Sequence, residues 1–448
     1  MKKIITSADI DQLVREGKRE IYLDGDVVIT SFAAEVAQKF NINIIDRRKG
    51  QTNNSVIGTY SNPLMDEKVI NEWRKEFPIL EKAIHVGNCS QAPQARRVRK
   101  AINDYLDNWL TIGMNWDYWC EEVVKAKKEF AKLINADVSE IAVCSSLSEA
   151  AAGLISSFSF DGPRNKIVAT EAEFPTVGHV LLAHQKLGIR VDFVPLEDGK
   201  VKLEDYDRYI DESTLLTVAT HVFYQNGFKQ DIAAIAKKAH AKGSYLFVDC
   251  YQSIGTIPID VKALDIDFLA TGTLKYLLGI PGIAFLYVRK ELIPLLKPIV
   301  TGWFGQENPF SFKVRILDYA RDARRFDTGT PPVIAGFAAK AGLEIINEVN
   351  PVNIHERIQF LSKICIEGAL RRGLEVVSPL DVQSKGSTTA IRVPDSHAAE
   401  VALKERGIIA SARGNVIRIA PHFFTTSQDI EIVLDELANI LSKPLPNY

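Results

Sequence analysis

A carboxylate and an amine follow two apolar runs that are typical of buried strands. Asp249 ends the run 245–248, and Lys275 stands 26 residues later (275 − 249), just after the run 268–270. Ligands of open α/β sheets bind outside the carboxyl ends of the strands, so both side chains are expected at one ligand-binding edge. Taken singly, the lysine would be a solvated surface residue and the aspartate a helix cap. Burying both charged groups at one edge costs free energy unless a bound ligand compensates for the lost hydration.

Pyridoxal phosphate (PLP) is a ligand that binds both an amine and a carboxylate. Its aldehyde forms a Schiff base with a lysine, and a carboxylate beside its ring nitrogen keeps that nitrogen protonated, which makes the ring an electron sink. The pair therefore predicts that Lys275 bonds the aldehyde and that Asp249 holds the ring nitrogen. The chemistry expected is that of an enzyme acting on an α-amino acid.

The residues around the pair resemble the class V aminotransferase family, which includes cysteine desulfurases, kynureninases and isopenicillin-type epimerases. The resemblance rests on Asp-Cys-Tyr-Gln-Ser-Ile-Gly at 249–255 and Gly-Ile-Pro-Gly at 279–282, and it covers roughly residues 63–448. It implies an α/β fold of type I, with a mostly parallel seven-stranded sheet in a large domain and a smaller α+β C-terminal domain. It also implies that Gln252 contacts the ring hydroxyl of PLP.

The same resemblance assigns further contacts to the cofactor. Residues 144–150 stand at the phosphate-binding turn of the family, so the Leu147 amide and the Ser148 hydroxyl would hold phosphate at a helix N-terminus. A helix cap without any ligand is the alternative for this turn. Phe174 stands where the family places the ring that stacks on the cofactor, although a phenylalanine there can equally belong to the core.

A homodimer with shared active sites is implied by residues 325–331, Arg-Phe-Asp-Thr-Gly-Thr-Pro. They look like the family segment in which Thr330 would reach the phosphate bound by the neighbouring subunit. A Gly-Thr-Pro turn without such a role is the alternative.

Two arginines are candidates for binding the substrate carboxylate. Arg418 lies in the apolar run 416–419, and an arginine is costly to bury without an anionic partner. In kynureninase-like relatives the matching arginine clamps the substrate carboxylate as a bidentate fork. Arg413 is the competing candidate, with Arg418 ranked first. Trp303 could form a wall of the substrate pocket or simply pack.

The reaction depends on side chains outside these motifs, since one cofactor supports several reactions. No cysteine follows Cys365, which weakens the desulfurase hypothesis, and Leu274 stands where kynureninases carry tyrosine and aminotransferase-like members often carry histidine. An aminotransferase is expected. The alternatives are a Cβ–S or Cβ–C lyase or hydrolase, and a scaffold or regulatory protein that uses its N-terminal extension.

The chain of 448 residues is long enough for several folding units. Periodicity predicts a small α/β extension at 1–46 with strands at 20–23 and 42–45, and a turn-rich linker at 47–63. An N-terminal arm and the large PLP-binding domain are expected together at 64–331. The C-terminal domain, expected at 332–448, would contain one long helix, short strands near 374–377, 389–393 and 416–419, and a last helix with a capping box from Thr426 to Asp429.

Composition excludes several partners. Lys plus Arg is 54 against 56 for Asp plus Glu, a formal net charge of −2, so binding to nucleic acid is not expected. No apolar run has the length of a membrane span, and the N-terminus lacks the pattern of a signal peptide, so a cytoplasmic location is expected. Five cysteines without metal-ligand spacing argue against a metal site and for reduced, mostly buried thiols.

Overall fold

A computed structural model of the protein describes residues 62–442 continuously. Before them it describes residues 4–5, 9–10, 13–14, 16, 18–23, 28–29, 33, 37 and 42–46. The chain forms two compact units, Met1–Val69 and Ile70–Tyr448. Residues 47–61, most of the predicted linker, lie outside the described residues. The domain limits given above therefore stay predictions.

The described residues of the first unit include four short strands that pair in parallel. They are β1 (Ile4–Ile5), β2 (Glu20–Leu23), β3 (Val28–Ile29) and β4 (Asn43–Asp46). β1 pairs with β3, and β2 pairs with β4. Side chains alternate between exposed and buried along β2, which places Ile21 and Leu23 in a small core with Ala33 and Ala37. Both predicted strands occur within one residue of their expected limits.

The central sheet of the second unit has seven strands. A short strand, β5 (Ile84–His85), precedes this sheet in the chain and is not part of it. The seven strands of the sheet are β6 (Ile141–Cys144), β7 (Lys166–Thr170), β8 (Arg190–Val194), β9 (Thr214–Thr220), β10 (Tyr245–Asp249), β11 (Phe268–Gly272) and β12 (Ala284–Val288). The order in the sheet is β6-β12-β11-β10-β9-β7-β8, and β12 alone runs antiparallel to its neighbours. Both faces are covered, which is why these strands appear in the sequence as continuous apolar runs.

Eleven helices lie within the continuously described residues 62–442. They are α1 (Glu67–Arg74), α2 (Arg96–Ile112), α3 (Trp116–Leu133), α4 (Leu147–Ser156), α5 (Pro175–His184), α6 (Tyr206–Tyr209), α7 (Ile232–Ala241), α8 (Val333–Val349), α9 (Pro351–Arg371), α10 (Ser396–Glu405) and α11 (Ser427–Leu441). The predicted capping box is present at α11, where Thr426 and Asp429 bond each other's backbone amides. None of these helices is long and apolar enough to cross a membrane.

The last part of the chain builds a second, smaller sheet. Its strands are β13 (Thr389–Arg392), β14 (Ile408–Ile409), β15 (Ser411–Arg413) and β16 (Val416–Ile419). β13, β16 and β15 form an antiparallel sheet, called here the C-terminal sheet, whereas β14 pairs with β5. The apolar faces of α9, α10 and α11 cover this sheet and form a core separate from that of the seven-stranded sheet.

Two details differ from the prediction for this region. The expected single long helix is two helices, because Asn350 has a left-handed φ of 77° and Pro351 starts a new helix. The expected strand near residues 374–377 is reduced to an isolated bridge between Val376 and Ile391. The α/β class, the seven-stranded, mainly parallel sheet and the smaller C-terminal α+β part agree with the prediction.

Candidate active site

Asp249 and Lys275 lie at the same edge of the central sheet. Asp249 is the last residue of β10 and is only 3% exposed, with Oδ1 accepting a hydrogen bond from the Tyr251 amide at 2.8 Å. Lys275 follows β11, which is parallel to β10 and adjacent to it. The carboxyl ends of neighbouring parallel strands thus bring the predicted pair together.

Burial shifts the pKa of both groups. It raises the pKa of Asp249 to about 6, although the Tyr251 amide and the Lys275 charge pull it down. Burial also lowers the pKa of Lys275 to about 8, which the Asp249 carboxylate opposes. A larger share of the Lys275 amine is therefore neutral near pH 7 than in an exposed lysine, so it can act as a nucleophile or a base.

Gln252 presents an unsatisfied acceptor in this site. Its Nε2 donates to the Cys89 carbonyl at 3.1 Å, while its buried Oε1 has no hydrogen-bond partner among the described residues. A buried acceptor without a partner costs free energy unless a ligand donates to it. Gln252 is therefore suited to receive a hydroxyl.

Aromatic rings surround the Lys275 amine. The centroid of the Phe174 ring is 5.7 Å from Lys275 Nζ, and that of Tyr251 is 4.4 Å away. Phe174 is 39% exposed, so it is not simply a core residue, and its ring meets that of Tyr224 in an edge contact. An open aromatic face beside a reactive amine can stack on a flat ligand.

The N-terminus of α4 offers amides to an anion. Ser146 caps the helix by accepting a hydrogen bond from the Glu149 amide at 3.2 Å. The cap leaves the amides of Leu147 and Ser148 without partners in the described part of the chain, as expected for the first turn of a helix. The Ser148 hydroxyl lies 3.5 Å from that of Thr176. Capping and anion binding are therefore compatible at this turn.

Arg418 is a buried cation held by neutral groups. It is 1% exposed, and its Nη1 donates to the Tyr224 carbonyl at 2.8 Å. Its Nη2 donates to the hydroxyls of Ser411 at 2.6 Å and Ser90 at 2.9 Å. Arg418 forms no ion pair with a carboxylate among the described residues, and its Nε has no partner there. A buried guanidinium without a counter-charge is suited to bind an anion.

Arg413 lies in the same C-terminal sheet, on β15, but is exposed. Its charge and that of Arg418 both lower the pKa of Lys275, so both arginines lie within electrostatic reach of the amine. Burial and fixed hydrogen bonds distinguish Arg418 from Arg413.

Two predicted site residues lie elsewhere in the described contacts. Trp303 packs against Phe304, Phe310 and Phe312 beside a pocket of about 700 Å³, and no described contact links it to Lys275. Thr330 is exposed and lines a pocket of about 170 Å³ together with the turn at residues 143–145. Neither position is explained by the Lys275 site of the same chain.

Glu173 is a site residue that sequence reasoning missed. Its Oε1 accepts hydrogen bonds from the Thr170 hydroxyl at 2.9 Å and from the Thr220 amide at 3.1 Å. Burial and the nearby Asp249 carboxylate raise the pKa of Glu173 to about 8. Its sequence signal is its place shortly after the buried strand β7, at the same end of its strand as Asp249 at the end of β10.

The comparisons with known proteins agree with this geometry. The sequence model of the family described as Aminotransferase class-V matches residues 89–426. The chain belongs to the class V aminotransferase family.

Among its relatives, the uncharacterised aminotransferase YcbU of Bacillus subtilis strain 168 is 41% identical over 374 residues, covering 83% of this chain and 98% of the relative. The kynureninase of Pseudomonas fluorescens is 25% identical over 386 residues, covering 83% and 92%. The structure of a cysteine desulfurase from Thermococcus onnurineus NA1 has a TM-score of 0.76 at 22% identity, covering 83% of this chain and 98% of that one. This likeness confirms the predicted fold class.

The residues present fit the cofactor of class V aminotransferases. Lys275 offers an amine to an aldehyde, Asp249 a carboxyl to a ring nitrogen, and the unpartnered Gln252 Oε1 an acceptor to a ring hydroxyl. Phe174 offers a ring face, and the start of α4 offers two amides to a phosphate. Each polar group of PLP thus has a chemically matching group on this chain.

Proposed function

We propose that this protein is a PLP-dependent aminotransferase acting on an α-amino acid. The observation that carries the proposal is the arrangement of Lys275 and Asp249 at one sheet edge. The Arg418 guanidinium, which forms no ion pair with a described carboxylate, lies within electrostatic reach of Lys275. Bound PLP would supply an electron sink for the bonds at the amino acid Cα. Lys275 and Asp249 would hold it together with Gln252, Phe174 and the amides at the start of α4.

Three residues of the chain have separate roles in the proposed reaction. Arg418 binds and orients the substrate carboxylate, because its fork geometry matches a carboxylate and no carboxylate in the described part of the chain pairs with it. The Lys275 amine moves a proton at the substrate Cα, since burial keeps its pKa near that of a general base. Asp249 keeps a negative charge beside the ring nitrogen, because a neighbouring cation stabilises its ionised form.

Transamination is favoured over the lyase reactions. YcbU, the 41% identical relative, is described as an aminotransferase. Cys89 influences the pKa of Lys275, but it is 1% exposed and packs with Tyr276 and Ala420, so its thiol is enclosed. The second candidate function is that of a Cβ–C or Cβ–S lyase or hydrolase, because relatives named kynureninase and probable cysteine desulfurase match most of the chain.

We also propose that the active unit is a homodimer. Two segments, around residues 109–116 and 310–317, expose large apolar side chains to a degree unusual for a free surface. These side chains are Trp109, Leu110, Ile112, Met114, Trp116, Phe310, Phe312, Val314, Ile316 and Leu317. A second copy would cover them, and the exposed Thr330 could then reach the partner's phosphate site. The cytoplasmic location remains a prediction.

Product stoichiometry tests the reaction. The PLP-loaded protein is mixed with single amino acids from a panel, without an amino-group acceptor, and the keto acid formed is counted per subunit. An aminotransferase releases one keto acid per subunit and stops until an acceptor keto acid is added. Continued release of pyruvate or alanine over many turnovers would instead establish the lyase function.

A further inference from the structure

Tyr251 is the residue at this site that neither the fold nor the proposed function explains. It lies two residues after Asp249, and its ring centroid is 4.4 Å from Lys275 Nζ. Its backbone amide is bonded to Asp249, whereas its hydroxyl makes no hydrogen bond among the described residues. A phenol in such a place has an unused donor next to a reactive amine.

The position of the hydroxyl is fixed by Gly272, the last residue of β11. A Cβ added at Gly272 would come within 2.1 Å of the Tyr251 hydroxyl oxygen and 2.3 Å of the ring carbon bonded to it. The phenol therefore occupies the space into which a side chain at position 272 would project. Glycine at this position allows the Tyr251 hydroxyl to reach the carboxyl edge of the sheet.

The start of α4 and the Tyr251 ring are both linked to the surroundings of Lys275. The Ser148 hydroxyl lies 3.5 Å from that of Thr176, two residues after Phe174, whose ring centroid is 5.7 Å from Lys275 Nζ. The Tyr251 phenol and the first turn of α4 therefore border the same site.

The phosphate is the polar group of PLP whose hydrogen-bond donors are still incomplete on this chain. Lys275, Asp249 and Gln252 match the aldehyde, the ring nitrogen and the ring hydroxyl. The phosphate carries three acceptor oxygens, and two free amides at a helix start do not saturate them.

We propose that the Tyr251 hydroxyl donates a hydrogen bond to the phosphate of the cofactor and that Gly272 is required to admit it; this inference rests on the proposed function. Burial and the Asp249 charge raise the pKa of Tyr251 to about 12, so the phenol keeps its proton at neutral pH. It can therefore serve as a donor to an anion.

The test compares PLP with pyridoxal, which has the same ring and aldehyde but no phosphate. The full-length apoprotein, wild type and Tyr251→Phe, is titrated with each compound, and binding is followed by cofactor absorbance and protein fluorescence. A hydrogen bond to a charged group is worth roughly ten- to a hundredfold in affinity. Tyr251→Phe should weaken PLP binding by that factor and leave pyridoxal binding unchanged.

Tyr245→Phe is the matched control, because Tyr245 starts β10, the strand that precedes Tyr251, and packs against the same cluster. It should bind both compounds as the wild type does. Gly272→Ala tests the same hydrogen bond without changing Tyr251, since the added methyl group must displace the phenol. It should weaken PLP binding more than pyridoxal binding, whether or not Tyr251→Phe folds well.

Inorganic phosphate gives an independent readout. It should compete with PLP for the wild-type apoprotein and compete more weakly for Tyr251→Phe. Equal PLP affinity of wild type and Tyr251→Phe would overturn this inference alone, as would an equal loss for PLP and pyridoxal, which would assign the hydroxyl to the ring or to Lys275. A wild-type protein that binds no PLP would overturn the proposed function as well.

Discussion

The Arg418 guanidinium donates to the Tyr224 carbonyl oxygen at 2.8 Å, across 194 residues of sequence. Arg418 belongs to the C-terminal sheet, whereas Tyr224 follows β9 of the central sheet and contacts Phe174 through its ring. This bond ties the predicted carboxylate clamp to the aromatic residues that surround Lys275. A substrate carboxylate bound at Arg418, as proposed, would therefore be linked by direct contacts to the residues around Lys275.

Replacing Arg418 by lysine tests the clamp. Lys keeps the charge but loses the two-pronged geometry, so amino acid affinity should fall about a hundredfold while PLP binding is retained. The measurement is a titration of the loaded protein with a substrate amino acid. Arg413→Lys is the control and should have a small effect, because Arg413 is exposed. The opposite ranking of the two variants would make Arg413 the clamp.

Asp249→Asn removes the charge expected beside the ring nitrogen and keeps the shape of the side chain. Because losing one positioned electrostatic contact commonly costs about a hundredfold or more in rate, turnover should fall by at least that factor. Cofactor should still bind through Lys275 and the phosphate contacts. Wild-type turnover in Asp249→Asn, measured at saturating PLP, would exclude Asp249 from this role.

Glu173→Gln should change how stability depends on pH. Burial raises the pKa of Glu173 from 4.5 to about 8, so the folded apoprotein keeps a proton that the unfolded chain releases above pH 4.5. Wild-type stability thus falls as pH rises from about 4.5 to about 8, a cost that glutamine does not carry. Relative to wild type, Glu173→Gln should gain about 3.5 kcal/mol between pH 5 and pH 8 in urea unfolding of the apoprotein, at about 1.4 kcal/mol per pH unit over most of that range. A pH-independent difference between the two proteins would contradict the assignment.

Charge on the exposed apolar segments should separate the subunits. Val314 is 98% exposed, and an aspartate there would be costly to cover with a second copy. Sedimentation should show a dimer for the wild type and mostly monomer for Val314→Asp, together with faster loss of PLP. Leu380→Asp, at another exposed apolar residue, should remain dimeric. A wild-type protein that is an active monomer would refute the shared site.

The central parts of the site could be predicted because they follow from strand ends. Asp249 and Lys275 come directly after apolar runs, and the parallel order of β10 and β11 brings them together. The prediction for Arg418 depended on the cost of an arginine within an apolar strand, and the structure finds it buried. The capping box of α11 could also be predicted, because Thr426 and Asp429 are close together in the sequence.

The rest depended on contacts that sequence spacing does not encode. The Tyr251 hydroxyl is placed by the missing side chain of Gly272, 21 residues later (272 − 251), and the Glu173 carboxylate by the amide of Thr220. The break between α8 and α9 was visible as Asn350-Pro351, yet the apolar periodicity on both sides masked it. The predicted roles of Trp303 and Thr330 stay predictions, because no described contact links either residue to Lys275 of the same chain.

Reductive labelling tests the central claim most directly. The protein is incubated with PLP, reduced with borohydride, digested and analysed by mass spectrometry. Lys385 is an internal comparison, because it is also buried and burial lowers its pKa to about 7. We expect one phosphopyridoxyl group per chain, on the peptide that contains Lys275, and none in Lys275→Arg. A label on Lys385 or another lysine, or no label at saturating PLP, would contradict the account.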